Sequence, residues 1–547
     1  MMKNFKNTSF SYFTAALVSG LLLSLAWPER GFPLLLLVAL VPLLWVEHEL
    51  LIRKSENSRF TIIKYAFTAF LTWNSLTTWW IWNSTLFGGI MALLINSSNM
   101  TVVFTLIHIL RRNLLKNDSG IISITASWMT FEYFHLDWDL NWSWLNLGNG
   151  FAALPELIQW YEYTGAFGGT MWIWISNILI FRFILAVANK AVIRNLLCRA
   201  SVWFMWVLVP VFISLFIFHQ YDEKNDQADV VITQPNLDPY SEQYTVDPEK
   251  VIRMNLALAE SLMDSTTEFI VCPESAIQEQ IWLEYIDYAP SVQMLKEYAI
   301  LHPEKTIIIG ASTFRKFEDG EPLSKTARKF RDSEGYYDAF NSVVVIDGNG
   351  KVGYYHKSRL VPGVERMPFQ KLLAPIQELA FDLGGTVGSL GRSPERDVFT
   401  TADGKRKFSA IICYESVDGG FVSEFVRNGA EAIFIITNDG WWGNTPGHRQ
   451  HKTFATLRAV ENRRAIARSA NTGISCFTDQ RGVITQPTPY WQEAVIRQKI
   501  NFNKELTFYS KYGDYLSRIS SFITALLFLV AVVNIFYTGR IGKKLFL

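Results

Sequence analysis

The sequence predicts a polytopic α-helical membrane domain of about eight spans plus an extramembrane α/β domain. Three observations carry this. Hydrophobic residues make up 49% of the 547 residues, aromatics 14% with 19 Trp, and charged residues only 18%, against about 25% charge in ordinary soluble chains; the mean hydropathy is positive. The apolar residues gather in long runs before about residue 218 and once more near the end. Between those regions, short β-branched runs alternate with helical spacing, the pattern of a layered α/β domain. A chain of this length needs more than one core.

The expected spans run near 10–27, 32–48, 60–82, 86–110, 120–136, 165–187, 201–218 and 519–537, each of the length a bilayer core requires. Lys3 and Lys6 before the first span give it the look of a secretory signal. No small-residue cleavage site precedes Pro28, and seven further spans hold the chain in the membrane regardless. Positive charge alternates between the connections. Arg53, Lys54 and Arg59 follow span two, Arg111, Arg112 and Lys116 follow span four, Lys190, Arg194 and Arg199 follow span six, and Arg540, Lys543 and Lys544 close the chain. The opposite connections carry Arg30 alone. Since Lys and Arg are retained on the cytoplasmic side, both termini are expected to be cytoplasmic and the segment between spans seven and eight to lie on the outer face. Trp79, Trp80, Trp82, Trp138, Trp142 and Trp144 cluster toward that face and read as interfacial anchors. The expected domains are 1–219, 220–510 and 511–547, the last being a helix with a cytoplasmic tail.

Within 220–510, strands are expected at 229–235, 268–274, 306–312, 341–347, 408–415 and 431–439, and helices at 250–264, 290–301, 420–429 and 448–468. "DGNG" at 347–350 and "DQRG" at 479–482 read as hairpin turns. The nearly continuous apolarity of "IVC", "IIIG" and "AIIC" implies strands covered on both faces, where functional groups sit at strand ends.

A net charge of +1 supplies no basic field for nucleic acid. The four cysteines, Cys198, Cys272, Cys413 and Cys476, show neither CxxC spacing nor a His at finger distance, so no zinc site or disulfide framework is indicated. Glu274, Lys357 and Cys413 each stand at a strand end. A thiol is nucleophilic as thiolate and needs a base or a positive charge beside it; Glu274 can take the proton, and Lys357 can favour the thiolate and an oxyanion. Taken singly, each has a plain explanation: Cys413 a small buried hydrophobe, Lys357 a surface lysine, Glu274 a cap for a following helix.

Together, "CPESA" around Glu274, "YHKSRLVPGVE" around Lys357 and "CYES" around Cys413 resemble the Glu, Lys and Cys segments of the nitrilase superfamily, in the right order. With spans on both sides, and with "TQPNLDP", "TNDGWWG" and "RAVENRRAIARSANTGIS", the arrangement is similar over nearly the whole chain to the apolipoprotein N-acyltransferase family. The resemblance implies a nitrilase-like αββα sandwich in a bacterial periplasm, anchored in the inner membrane. It implies Cys413 as nucleophile, Glu274 as base and Lys357 as oxyanion stabiliser, with Glu365, Tyr414 and Glu415 supporting them and Asn438, Asp439, Trp441 and Trp442 bordering the site. It further implies a ping-pong transfer from a phospholipid donor, through a thioester, to the α-amine of a diacylglyceryl-modified apolipoprotein, with no cofactor or metal and a monomeric enzyme. The sequence departs from the family where Gly363 and Val364 precede Glu365, and where Tyr240 or Tyr244 stands near a usual tryptophan. Two alternatives remain open: a membrane-tethered amidase using water, and an eight-span transporter or receptor. The second is weakened because Arg182 is the main ionisable residue expected within the spans.

Overall fold

The computed structural model describes residues 9–114, 120–223, 226–369 and 389–544. The chain forms two compact units: Met1–Trp79, Ile90–His219 and Asp514–Leu547 make the first, and Trp80–Gly89 with Gln220–Gly513 the second.

The first unit is helical. Among the described residues, six helices are long and apolar enough to cross a membrane: Ser9–Ala26, Pro33–Ile52, Leu86–Arg112, Ala166–Ala188, Ile193–Gln220 and Tyr515–Asn534. The other two expected spans form helices Ile62–Thr78 and Gly120–Phe134, of 17 and 15 residues, so about six of the eight expected spans meet the length and apolarity of a crossing helix among the described residues. The helix expected from 201 begins at Ile193. Arg194 and Arg199 therefore lie in its first two turns rather than in a loop, where long basic side chains can reach an interface. Gly20 lets Ser9–Ala26 approach Ile62–Thr78 closely, because a Cβ there would sit 2.5 Å from the Ala69 carbonyl oxygen.

Ionisable groups inside this unit are more numerous than expected. Glu47 and Glu132 are buried. His108 Nδ1 lies 3.1 Å from Glu47, which also pairs with Arg111. Glu132 accepts from Thr170 Oγ1 at 2.6 Å, Leu147 N at 2.8 Å and Trp128 Nε1 at 3.0 Å. The two carboxylates are satisfied, and such groups tie buried elements together.

The second unit is built on two sheets. The first contains β1 (Gln227–Gln234), β2 (Thr267–Val271), β3 (Ile277–Trp282), β4 (Thr306–Lys316), β5 (Arg328–Lys329), β6 (Tyr336–Ile346) and β7 (Val352–His356). The second contains β8 (Phe399–Thr400), β9 (Lys407–Ile412), β10 (Ala432–Thr437), β11 (Ile466–Ala470), β12 (Cys476–Thr478) and β13 (Ile484–Thr485). The final strand, β14 (Ala494–Asn501), returns to pair antiparallel with β1, giving the path β14-β1-β2-β4-β6-β5, with β3 on β4 and β7 on β6. β9, β10 and β11 are parallel neighbours at the centre of the second sheet.

Alternation along each strand assigns its faces. On β2, Phe269 meets Phe408 and Phe434 of the other sheet at 5.2 and 5.0 Å between ring centres. Ile270 instead joins Val251, Ile252, Val292 and Leu295 of helices Pro248–Glu260 and Pro290–Leu301. Helices Gly419–Arg427 and Pro446–Asn462 belong with the second sheet, completing an αββα sandwich.

Both expected hairpins form, β6 with β7 and β12 with β13. Two expectations fail, as does the plain reading of Glu274 as a helix cap. The helix expected over 448–468 ends at Asn462, where Arg463 takes a left-handed φ of 50°; residues 466–470 gain more by pairing with β10 as a buried strand. Glu274 caps no helix, since β3 follows it. Trp80 and Trp144 are not interfacial anchors: both are fully buried, Trp80 with its ring centre 4.8 Å from Trp442, and Trp144 stacked on Trp142 at 5.5 Å.

Candidate active site

Three strands deliver the expected residues to one place. Glu274 follows β2 after Cys272 and Pro273, passing so close to β4 that a Cβ on Gly310 would lie 2.6 Å from the Glu274 Cα. Only glycine leaves room for that approach. Lys357 directly follows β7, and its backbone N–H donates to the Asn341 carbonyl of β6 at 2.8 Å. Cys413 directly follows β9 and opens a tight turn, Cys413–Val417, with φ at 51°. A left-handed residue other than glycine costs about 1–2 kcal/mol and persists where its surroundings over-determine it.

The Lys357 ammonium lies between two carboxylates, 3.1 Å from Glu274 Oε1 and 2.8 Å from Glu365 Oε1. Asn341 Nδ2 donates to the same two oxygens at 2.7 and 3.0 Å, and the Asn438 backbone N–H donates to Glu274 Oε2 at 3.0 Å. Val361 N–H holds the other Glu365 oxygen at 2.8 Å. Burial alone would push the Lys357 ammonium down, but Glu274 and Glu365 outweigh it and hold its pKa well above the ordinary lysine value. Burial, reinforced by the Glu274 charge, pushes the Cys413 thiol up, with Lys357 opposing. The resting group is therefore a thiol, and attack requires a base at the moment of reaction.

Glu415 is a bracket rather than a reacting group. Fully buried, it accepts from Tyr355 Oη at 2.7 Å, Ser358 N at 2.6 Å and Ile412 N at 2.8 Å, tying the segment after Lys357 to the turn at Cys413. Burial raises its pKa above the usual carboxylate value. Tyr414 is buried beside it. Asn438 Nδ2 donates to Gln243 at 2.6 Å, and Trp441 and Trp442 follow in a short turn. That turn is clamped: Tyr240 Oη donates to the Trp441 carbonyl at 2.7 Å, and Asn83 Nδ2 to the Trp442 carbonyl at 2.8 Å. Of the two aromatics left open by the sequence, Tyr244 feels the charges of Glu274 and Glu365, which add to burial in raising its pKa, whereas Tyr240 braces the tryptophan turn.

Sequence reasoning missed Asn341, Gly310, His451 and Arg468. A lone Asn within the apolar "AFNSVVV" of β6 pointed to Asn341, and Arg468 lies within the segment "RAVENRRAIARSANTGIS" without standing out in it. The other cysteines lack such surroundings. Burial pushes the Cys272 thiol up to about 12 and raises that of Cys476, and Cys198 lies exposed on an apolar helix. One grouping has metal-ligand atoms close together: those of Cys413, Asp439 and His451 lie within 4.8 Å of one another. Both Asp439 oxygens are already engaged, one by Thr437 Oγ1 and His451, the other by Arg468 at 2.6 Å. The adjacent guanidinium makes this donor set a poor fit for a cation.

The fold and the Glu, Lys, Cys cluster define a carbon-nitrogen hydrolase domain, and residues 232–505 match that family. Residues 19–179 match the apolipoprotein N-acyltransferase N-terminal domain. An apolipoprotein N-acyltransferase of Chlorobaculum tepidum is 30% identical over 538 residues, covering 95% of this chain and 97% of the relative. One from Geobacter metallireducens is 27% identical over 92% of each chain, and apolipoprotein N-acyltransferase 1 of Treponema denticola is 24% identical over 98% of this chain and 99% of its own. The chain belongs to the apolipoprotein N-acyltransferase family.

Proposed function

We propose that the protein is an acyltransferase that moves an acyl chain from a membrane phospholipid to the α-amino group of the S-diacylglyceryl cysteine of apolipoproteins, by way of a thioester on Cys413. The observation that carries this is the buried Glu274, Lys357 and Glu365 cluster acting on a strand-end thiol, in a chain of this family with apolar helices to hold it among lipids.

Glu274 takes the Sγ proton as sulfur attacks the ester carbonyl, and the oxyanion develops against the Lys357 ammonium. Collapse breaks the ester C–O bond, Glu274 returns its proton to the departing oxygen, and lysophospholipid leaves. The acceptor amine then attacks the thioester, loses a proton to Glu274, and expels Cys413 sulfur, which regains that proton. Glu365 keeps Lys357 charged and oriented. Trp441 and Trp442 border the reacting carbonyl, restricting water while the thioester waits. Positive charge in alternate connections supports cytoplasmic termini and an outward-facing catalytic unit, periplasmic in a bacterium with two membranes. The protein acts as a monomer, and domains 1–219, 220–510 and 511–547 divide anchoring from chemistry, except that Trp80–Gly89 within the first belongs with the catalytic unit.

The test is intact-protein mass spectrometry after incubation with phospholipid, followed by addition of a diacylglyceryl peptide. The expected result is an acyl adduct on Cys413 that disappears as acylated peptide forms. An adduct on Cys476, or steady hydrolysis of amides with ammonia release and no acylated peptide, would refute it.

A further inference from the structure

Behind Cys413 lies a buried polar chain that the chemistry above does not use. His451, on helix Pro446–Asn462, has no exposed side-chain surface. Its Nε2 lies 3.2 Å from the Cys413 carbonyl oxygen and 3.1 Å from Ser416 Oγ. Ser416 Oγ itself donates to the same carbonyl at 2.7 Å. The far edge of the ring is fixed as well: Nδ1 lies 2.9 Å from Asp439 Oδ1 and 3.1 Å from Arg468 Nη2, and Arg468 Nη2 donates to Asp439 Oδ2 at 2.6 Å. Arg468 stands on β11 and Asp439 just beyond β10, so the central strands of one sheet, through this ion pair, hold a ring that reaches the turn leaving their neighbour β9.

We infer that His451 is a positioning residue for the nucleophile, pinning the Cys413 carbonyl by an Nε2–H hydrogen bond while the Asp439–Arg468 ion pair stands against the other edge of its ring. The carbonyl is the natural handle. A peptide group is planar, so fixing the direction of the Cys413 C=O fixes that of the Tyr414 N–H, and with the left-handed φ it fixes where Cβ leaves the backbone and from where Sγ is presented. His451 itself touches no substrate. Its effect is confined to how often Sγ lies on the line of attack, where a displacement of about 1 Å costs on the order of 100-fold in rate.

This rests on Cys413 being the nucleophile, and the experiment separates the two ideas by using p-nitrophenyl butyrate, a simple acyl donor that needs neither a lipid nor a peptide. The purified full-length protein is expected to release a burst of p-nitrophenolate equal to the enzyme present, lost in Cys413→Ala. His451→Ala is expected to slow the burst about tenfold or more, with its amplitude kept, KM for the ester within about twofold, and much of the rate restored by added imidazole. Ser416→Ala, a smaller change that keeps the packing, is expected to slow the same step about threefold to tenfold. A burst at the normal rate in either variant, or a loss confined to KM, overturns the positioning role. Should His451→Ala fail to fold, His451→Phe, which keeps a buried ring but removes the Nε2–H, decides in its place. A normal burst in the unsubstituted enzyme with no transfer to a diacylglyceryl peptide would instead refute the acyl-transfer reading and leave this one standing.

Discussion

At the scale of single residues, the site is a problem of charge balance. Lys357 contacts both Glu274 and Glu365, and its raised pKa means that the pairing stabilises the fold below the ordinary lysine value and is lost only as pH rises beyond it. Lys357→Met should leave two buried carboxylates facing each other. Acyl-enzyme formation is expected to fall by about 100-fold or more, with about 3 kcal/mol lost from stability, as measured by adduct kinetics and thermal unfolding. Gly310→Ala should drive the Glu274 backbone away from β4 and slow acylation by about 100-fold without removing any polar group. The sequence made Glu274, Lys357 and Cys413, the residues proposed to react, legible because each follows an apolar strand within a motif. Asn341 and His451 stayed hidden because their importance lies in partners that are distant along the chain, Glu274 and Cys413, and are met only once the sheets assemble.

At the scale of elements, strands were easier to read than helix ends. Helices Pro248–Glu260 and Pro290–Leu301 begin at prolines, which suit a first helical turn, whereas the end at Asn462 depends on one left-handed arginine that no pattern announces. At the start of helix Pro446–Asn462, His448 stacks on Tyr490 at 3.9 Å between ring centres, and burial lowers its pKa to about 4. The unfolded chain therefore binds a proton near pH 6.5 that the folded unit refuses until about 4, so stability is full above 6.5 and declines as pH falls between these values. His448→Phe keeps the stack and should flatten that decline in melting curves taken across the range. The tryptophan turn offers a second test: Tyr240→Phe removes the bonds to the Trp441 and Asn83 carbonyls. Transfer is expected to slow severalfold for a stability change of about 1 kcal/mol, and hydrolysis of the thioester by water should rise.

At the scale of the whole molecule, composition and charge placement predicted a membrane protein, and the orientation they imply is open to direct measurement. Lys405→Cys, on an exposed turn of the second unit, combined with Cys198→Ser, should be labelled by a membrane-impermeant maleimide in intact spheroplasts; labelling only after lysis would reverse the proposed topology. What hydropathy could not reveal is that the connection Trp80–Gly89, flanked by apolar helices, belongs to the catalytic unit. Its Trp80 packs where a Cβ on Gly447 would fall, 2.6 Å from the indole, and its Asn83 holds the Trp442 carbonyl. A fragment spanning only 220–513 would be released without this piece, exposing indole and backbone that the intact chain covers, and is expected to aggregate or hydrolyse its own thioester. Chimaeras that exchange catalytic halves between relatives face the same constraint. The unit of inheritance is two stretches of chain, and the shorter one must travel with the longer.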